Sequence, residues 1–219
     1  MGKKDLKIIG LIVLVITIIL VIIVTIYMVQ CNRLKKKCLE TRNEYGDICV
    51  DMAYYTNKIE KELDKNYPSK DTIEELINNM NSEIDEKMTQ IDKINKEISE
   101  MHDKSIHIDE FDTNIGRSAM NAYKQWENDS QTVYSMNEQR KLINTRFSGS
   151  KLIGSTNSVS KACDDLILIY ARSDLRHNEV YSRDEQTTQR FKEANVQLRY
   201  SEELEKKQLD YLREHYFGY

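Results

Sequence analysis

The sequence predicts an all-α protein, an N-terminal transmembrane helix continuing into an elongated up-and-down helical bundle or coiled coil. Three observations predict it. Residues Ile8 to Val29 form an almost unbroken apolar run with seventeen Ile, Leu or Val side chains. The remainder is highly charged and repeats its apolar side chains at helical spacing. One proline and seven glycines in 219 residues are too few for the turns that a sheet protein of this size needs.

Residues 1–7 read as a short tail carrying Lys3, Lys4 and Lys7. Residues 8–30 read as the transmembrane helix: the apolar run rises about 33 Å, enough to cross a hydrocarbon core of about 30 Å. Each aliphatic side chain near the membrane centre favours insertion by roughly 0.3 to 0.6 kcal/mol. A cleaved leader would have a shorter apolar region and small residues at its exit, whereas this run ends Tyr27-Met28-Val29-Gln30-Cys31. Gln30 also stands where a lipidated cysteine needs a small neighbour. A retained anchor is expected.

Residues 31–219 are expected to form the bundle, with helices at about 31–66, 70–104, 108–147, 157–172 and 188–216. In the first, Leu34, Cys38, Tyr45, Ile48, Met52 and Ile59 share one face, and the helix is read as continuous with the anchor. It should stop near Asn66-Tyr67-Pro68, because Pro68 cannot continue the hydrogen-bond ladder. Ser69 or Asp71 then caps the second helix. There Ile77, Ile84, Ile91 and Ile98 are seven apart, with Ile73, Met80, Ile94 and Met101 on the companion row and Lys87 as its one polar member. Such heptads specify a coiled-coil seam. The seam residues expected to face another helix, of this chain or of another copy, are Ile77, Met80, Ile84, Ile91, Ile94 and Ile98.

The third helix carries Ile115, Ala122, Met136 and Ile143 on one row and Ala119, Trp126, Val133 and Phe147 on the other. The stretch Ser148 to Asn157, with two glycines and many small hydrogen-bonding residues, ends it. Val159, Cys163, Leu166 and Tyr170 mark the inner face of the fourth helix. From Arg172 to Arg190 the chain is too polar for a deep core, so a break or an exposed crossing is expected there. The last helix ends in the aromatic-rich Tyr211-Leu212-Arg213-Glu214-His215-Tyr216-Phe217-Gly218-Tyr219, suited to docking on a partner, on lipid head groups or over the bundle end.

Basic residues flank both ends of the anchor, Lys3, Lys4 and Lys7 on one side and Arg33, Lys35, Lys36, Lys37 and Arg42 on the other. Their small excess after the anchor favours a cell-membrane protein with the bulk of the chain on the cytoplasmic side. Four cysteines do not make a disulfide scaffold, which points the same way. Arg33, Lys35, Lys36 and Lys37 are the candidate contacts with lipid head groups.

The net charge of −4 and the lack of a basic stripe with interleaved aromatics argue against a nucleic-acid partner. No Gly-rich phosphate loop, His-Glu-x-x-His helix or Gly-x-Ser-x-Gly elbow occurs. Cys163 lies in the apolar run Ala162 to Ala171 and reads as a small core residue. His102 and His107, with Asp109 and Glu110 nearby, are the one cluster that invites a metal. Five residues apart, they lie about 140° around a helix and read better as solvated groups at a turn. No catalytic, cofactor-binding or metal-binding residue is therefore expected, and the chain is not expected to be an enzyme. Its expected partners are the lipid bilayer and either further copies of itself, as a homo-oligomer, or a helical protein.

Three short segments, Asn32-Arg33-Leu34, Ile115 to Ala122 and Ser173 to Glu179, resemble the LemA family, bacterial membrane-anchored helical-bundle proteins. Asn32-Arg33-Leu34, followed by Tyr45, Ile48 and Met52, is similar to that family's Tyr-Asn-x-Leu segment and the apolar and aromatic positions after it. Ile115-Gly116-Arg117-Ser118-Ala119-Met120-Asn121-Ala122 resembles its Ala-Arg-x-x-Ala segment. Ser173-Asp174-Leu175-Arg176-His177-Asn178-Glu179 looks like its Pro-Asp-Leu-Lys-Ala-Asn-Glu turn. The chain departs from the family where Tyr54-Tyr55 replaces paired arginines and where Ile73 to Met101 looks like an insertion. The resemblance implies architecture, not an active site. The expected function is a single-pass, membrane-anchored scaffold. The alternatives are a signalling element that transmits a shift through helix 8–66, and an extracytoplasmic tether or fusion-type coiled coil.

Overall fold

The computed structural model describes residues 3–105, 113–148, 156–173, 175, 189, 190, 192 and 193, with 3–7 and 156 by backbone alone. Among the described residues the continuous elements are four helices: α1 (Lys3–Leu63), α2 (Lys70–Asp103), α3 (Asn114–Ser148) and α4 (Thr156–Arg172). The protein is all-α, and a long apolar N-terminal helix leads into a helical bundle.

Each boundary has a local cause. The sequence suggested an end near residue 66 for the first helix, but α1 stops at Leu63. There the amide of Lys65 turns inward to the carbonyl of Glu62, and the Glu62 carboxylate accepts from the Ser69 amide at 3.0 Å and from Lys65. One side chain thus ties the end of α1 to the start of α2. Ser69 caps α2, its hydroxyl accepting from the Thr72 amide. Thr113 does the same for α3 through the Gly116 amide, at 3.0 Å. Residues 108–112, which the sequence reading assigns to the third helix, lie outside the described residues. So do most of 188–216; only 189, 190, 192 and 193, all helical, are described.

The chain divides into two compact units. The first comprises residues 1–41 and 93–126, the second 42–92 and 127–219. In the second, α1 meets α2 through Asp51 with Lys87 and Tyr55 with Glu83. Partner numbers fall as residue numbers rise, so the two helices are antiparallel. Asp92 with Tyr134 and Asp85 with Arg140 make α2 and α3 antiparallel in the same way. Tyr45, Met52, Ile59, Met80, Val133 and Tyr170 are among the side chains closed off from solvent inside this unit. Each fully buried large aliphatic or aromatic residue contributes roughly 1.5–3 kcal/mol.

In the first unit, Lys37 pairs with Glu97 at 3.1 Å, Tyr27 hydrogen-bonds Thr113 at 2.9 Å, and His102 stacks on Tyr123 at 4.1 Å. Cys31, Leu34 and Cys38 of α1, Ile98 of α2 and Ala119 of α3 are all buried in this unit. From Ile8 to Ile26 no described residue covers α1. Every Ile, Leu and Val from Ile8 to Ile26 is between 42% and 62% exposed. The two threonines in that stretch return their hydroxyls to the helix's own carbonyls, Thr17 to Val13 at 2.8 Å and Thr25 to Val21 at 2.7 Å. No polar group there needs water.

Candidate functional site

Each charged residue that interrupts an apolar row meets its own partner on a neighbouring helix. Lys87 is the polar member of an α2 row; Asp129 and Arg140 sit in the two α3 rows, seven residues after Ala122 and Val133. All three are partnered across helices.

Lys87 belongs to a closed ring of two acids and two bases. Asp51, on α1, is 2% exposed. One of its oxygens accepts from Lys87 Nζ and the other from Arg190 Nη1 at 2.8 Å. Glu83 Oε1 accepts from the same Arg190 nitrogen at 2.7 Å and from Lys87 at 3.1 Å, while Glu83 Oε2 accepts from the Tyr55 hydroxyl at 3.0 Å. The Arg190 guanidinium also lies over the Tyr54 and Tyr55 rings, with centroid distances of 5.0 and 5.5 Å. Its own burial works against the charged carboxylate of Glu83, but Arg190 and Lys87 outweigh it and hold the group below its usual range. Burial likewise opposes the Lys87 ammonium, and Asp51 and Glu83 overcome it, raising the group's pKa. Burial and donation to Glu83 push the Tyr55 phenol up to about 12. Glu83, Lys87 and Tyr55 are thus each held in one protonation state at neutral pH, so the ring is built to hold position and not to move protons.

Two further pairs serve the same end. Arg42 and Asp129 lie 3.1 Å apart. Arg140, its side chain 3% exposed, donates to Asn137 at 2.9 Å, to Asn81 at 2.6 Å and to Asp85. Buried ion pairs add little net stability because desolvation offsets attraction. What they supply is register: a one-turn slip of α2 past α1 or α3 would strand these charges without partners.

A different carboxyl pair is poised to titrate. Glu60 of α1 hydrogen-bonds Asp164 of α4, and burial first, then this carboxyl neighbour, raises the Glu60 pKa to about 8. The protonated form therefore joins the helices, and ionisation sets two negative charges against each other. The folded pKa lies above the unfolded value of about 4.3, so this stabilisation is complete below pH of about 4.3 and is lost as pH rises toward 8. Glu60→Gln keeps a donor and removes the titration. Thermal unfolding in detergent should show the variant more stable than the parent at pH 9, by about 2–4 °C for each kcal/mol recovered, with the gap closing at pH 4. Parallel pH profiles would refute the raised pKa of Glu60.

The residues singled out from the sequence are placed as follows. Ile77, Met80, Ile84, Ile91 and Ile98 are each at most 1% exposed within the single chain, and Ile94 is half-buried. Arg33 and Lys36 are exposed and Lys35 and Lys37 half-exposed, with Lys36 3.7 Å from Glu40 and Lys37 salt-bridged to Glu97. The four cysteines are free and buried. Burial raises the Cys38 thiol to about 12 and lifts Cys49 and Cys163 further, the latter two also by neighbouring carboxylates. None is poised as a thiolate. His102 lies against Tyr123, and His107 is outside the described residues. Among the described residues no three His, Cys, Asp or Glu side chains are grouped to hold a metal ion.

The ring around Asp51 did not emerge from the sequence reading. Arg190 closes the stretch expected to be a break or an exposed crossing and falls in the helix expected at 188–216; it is helical, with its side chain 13% exposed. The available signal was the polar break in each heptad row, which marks where a buried charge needs a partner without saying which. No protein-family model, curated protein or solved structure matches the chain.

Proposed function

We propose that this chain is a single-pass, membrane-anchored helical-bundle scaffold, LemA-like in architecture, whose work is structural and interactive and not catalytic. One observation carries the anchor: an apolar stretch of α1 that is wholly uncovered and hides its only two hydroxyls internally. Leaving so many large aliphatic side chains in water is unfavourable, whereas lipid removes that cost. The residues behind the family resemblance support the architectural part of the reading. Leu34, Tyr45, Ile48, Met52, Ala119 and Ala122 are all core positions, the places where a shared packing scheme constrains a sequence.

The excess of Arg and Lys after the apolar run, together with four unpaired cysteines, favours a cytoplasmic bundle at the cell membrane. For a homo-oligomer or a helical partner the available surface lies outside the heptad rows of α2, which one chain already covers. The uncovered stretch of α1 and exposed residues such as Leu39 and Leu142 are candidates. The anchor is tested with the full chain in isolated membranes. It should stay in the pellet through an alkaline carbonate wash and enter solution with detergent, and release by carbonate alone would refute it.

A further inference from the structure

We infer that the last turn of α2 and the first turn of α3, with Lys104 and Arg117, sit in the lipid head-group layer, and that the Tyr27–Thr113 hydrogen bond marks the edge of the hydrocarbon. This placement rests on the anchoring proposed above and adds a depth and a set of contacts to it.

The boundary on α1 is sharp. Ile26 is 43% exposed, whereas Tyr27 is 7% exposed and Cys31 fully covered. From Tyr27 onward one face of the helix is occupied by protein, so lipid cannot surround it. On the other side the nineteen residues Ile8 to Ile26 rise about 28 Å, close to a hydrocarbon thickness of about 30 Å. No slack remains for the bundle to stand away from the bilayer. A tyrosine with an apolar body and a hydrogen-bonded hydroxyl suits that edge.

The Tyr27 hydroxyl is 2.9 Å from the hydroxyl of Thr113, the residue that caps α3. The start of α3 is therefore level with the edge, and Arg117, exposed and 2.9 Å from the Asn114 side-chain oxygen, stands about 6 Å above it. On α2, Lys104 follows Glu97 by seven residues, about 10 Å, while Tyr27 precedes Glu97's partner Lys37 by ten, about 15 Å. Because the helices run oppositely, Lys104 comes to lie about 5 Å above Tyr27. The head-group layer is about 5–7 Å thick on each face. Lys104, its side chain 75% exposed although 2.9 Å from Glu100, and Arg117 both fall within it.

Depth also sorts the cations after the anchor. Arg33 lies about 9 Å above Tyr27, and its long side chain slants back toward the helix N-terminus and the membrane. Lys37, about 15 Å up and paired with Glu97, lies well beyond the head-group layer. Arg33, Lys104 and Arg117 are accordingly the head-group residues, in place of Lys35 to Lys37.

The test uses the full chain in phosphatidylcholine and phosphatidylglycerol vesicles containing a lipid with a nitroxide on its head group. A fluorophore is attached at Lys104→Cys or Arg117→Cys, and for comparison at Leu39→Cys, an exposed site about 18 Å beyond Tyr27. The native thiols are buried, and the unsubstituted chain labelled in parallel gives the background. Quenching at 104 and 117 should be several-fold stronger than at 39. Equal quenching at all three sites in chains that still float with the vesicles would overturn the placement and leave the anchor standing. Chains that do not float at all would overturn both.

Discussion

Replacing Ile84 by aspartate should unfold the bundle, with loss of the helical circular-dichroism signal at temperatures where the parent is folded. Ile84 is 0% exposed inside a single chain. Truncating a buried aliphatic side chain of this size costs about 2–5 kcal/mol by itself. The aspartate adds an unpartnered carboxyl at a position with no access to water, which costs several kcal/mol more or forces protonation. Together these approach the whole stability of a typical domain, about 5–15 kcal/mol. Ile84→Val, which removes one methylene, should cost only about 0.5–1.5 kcal/mol and keep the fold. The contrast decides between two seams. Were the heptad rows of α2 closed by a second copy, Ile84→Asp would give a fully helical chain of halved particle mass in detergent. Retained helicity with that halving would mean that Ile84 lies between copies.

The all-helical class was legible because helix and sheet leave different periods in the apolar pattern, and here the period of seven persists through Ile77, Ile84, Ile91 and Ile98. The same periodicity is blind to partners. It shows that Lys87 points inward, but Asp51 lies 36 residues away and Arg190 lies 139 from Asp51. Polarity alone made the stretch up to Arg190 read as exposed. A guanidinium, however, can be buried wherever two carboxylates and two aromatic rings receive it, and that condition is met only in three dimensions. The Glu60–Asp164 pair was hidden for the opposite reason, since acids on charged helices are so common that no single one stands out. The cations after the anchor were visible, but Lys37 turns to Glu97 and the sequence has no depth axis on which to rank them.

The ring around Asp51 makes the sharper energetic forecast. Asp51→Ala should destabilise the protein by about 3 kcal/mol, because the buried Arg190 loses one of its two carboxylate partners and must share the single negative charge of Glu83 with Lys87. For a chain of this size that lowers the melting temperature by roughly 6–12 °C. Lys87→Met should do much less. The Lys87 side chain is 34% exposed, so little buried charge is lost, and Asp51 keeps Arg190 at 2.8 Å. The informative measurement is the double variant. Asp51→Ala with Lys87→Met leaves Arg190 and Glu83 as a balanced pair 2.7 Å apart. It should therefore be more stable than Asp51→Ala alone, even though a second native residue has been removed. A ring that matters through charge balance requires this non-additivity. If the two losses simply summed, Asp51 would act through packing, and the ring would carry no role in setting the register of α1 against α2.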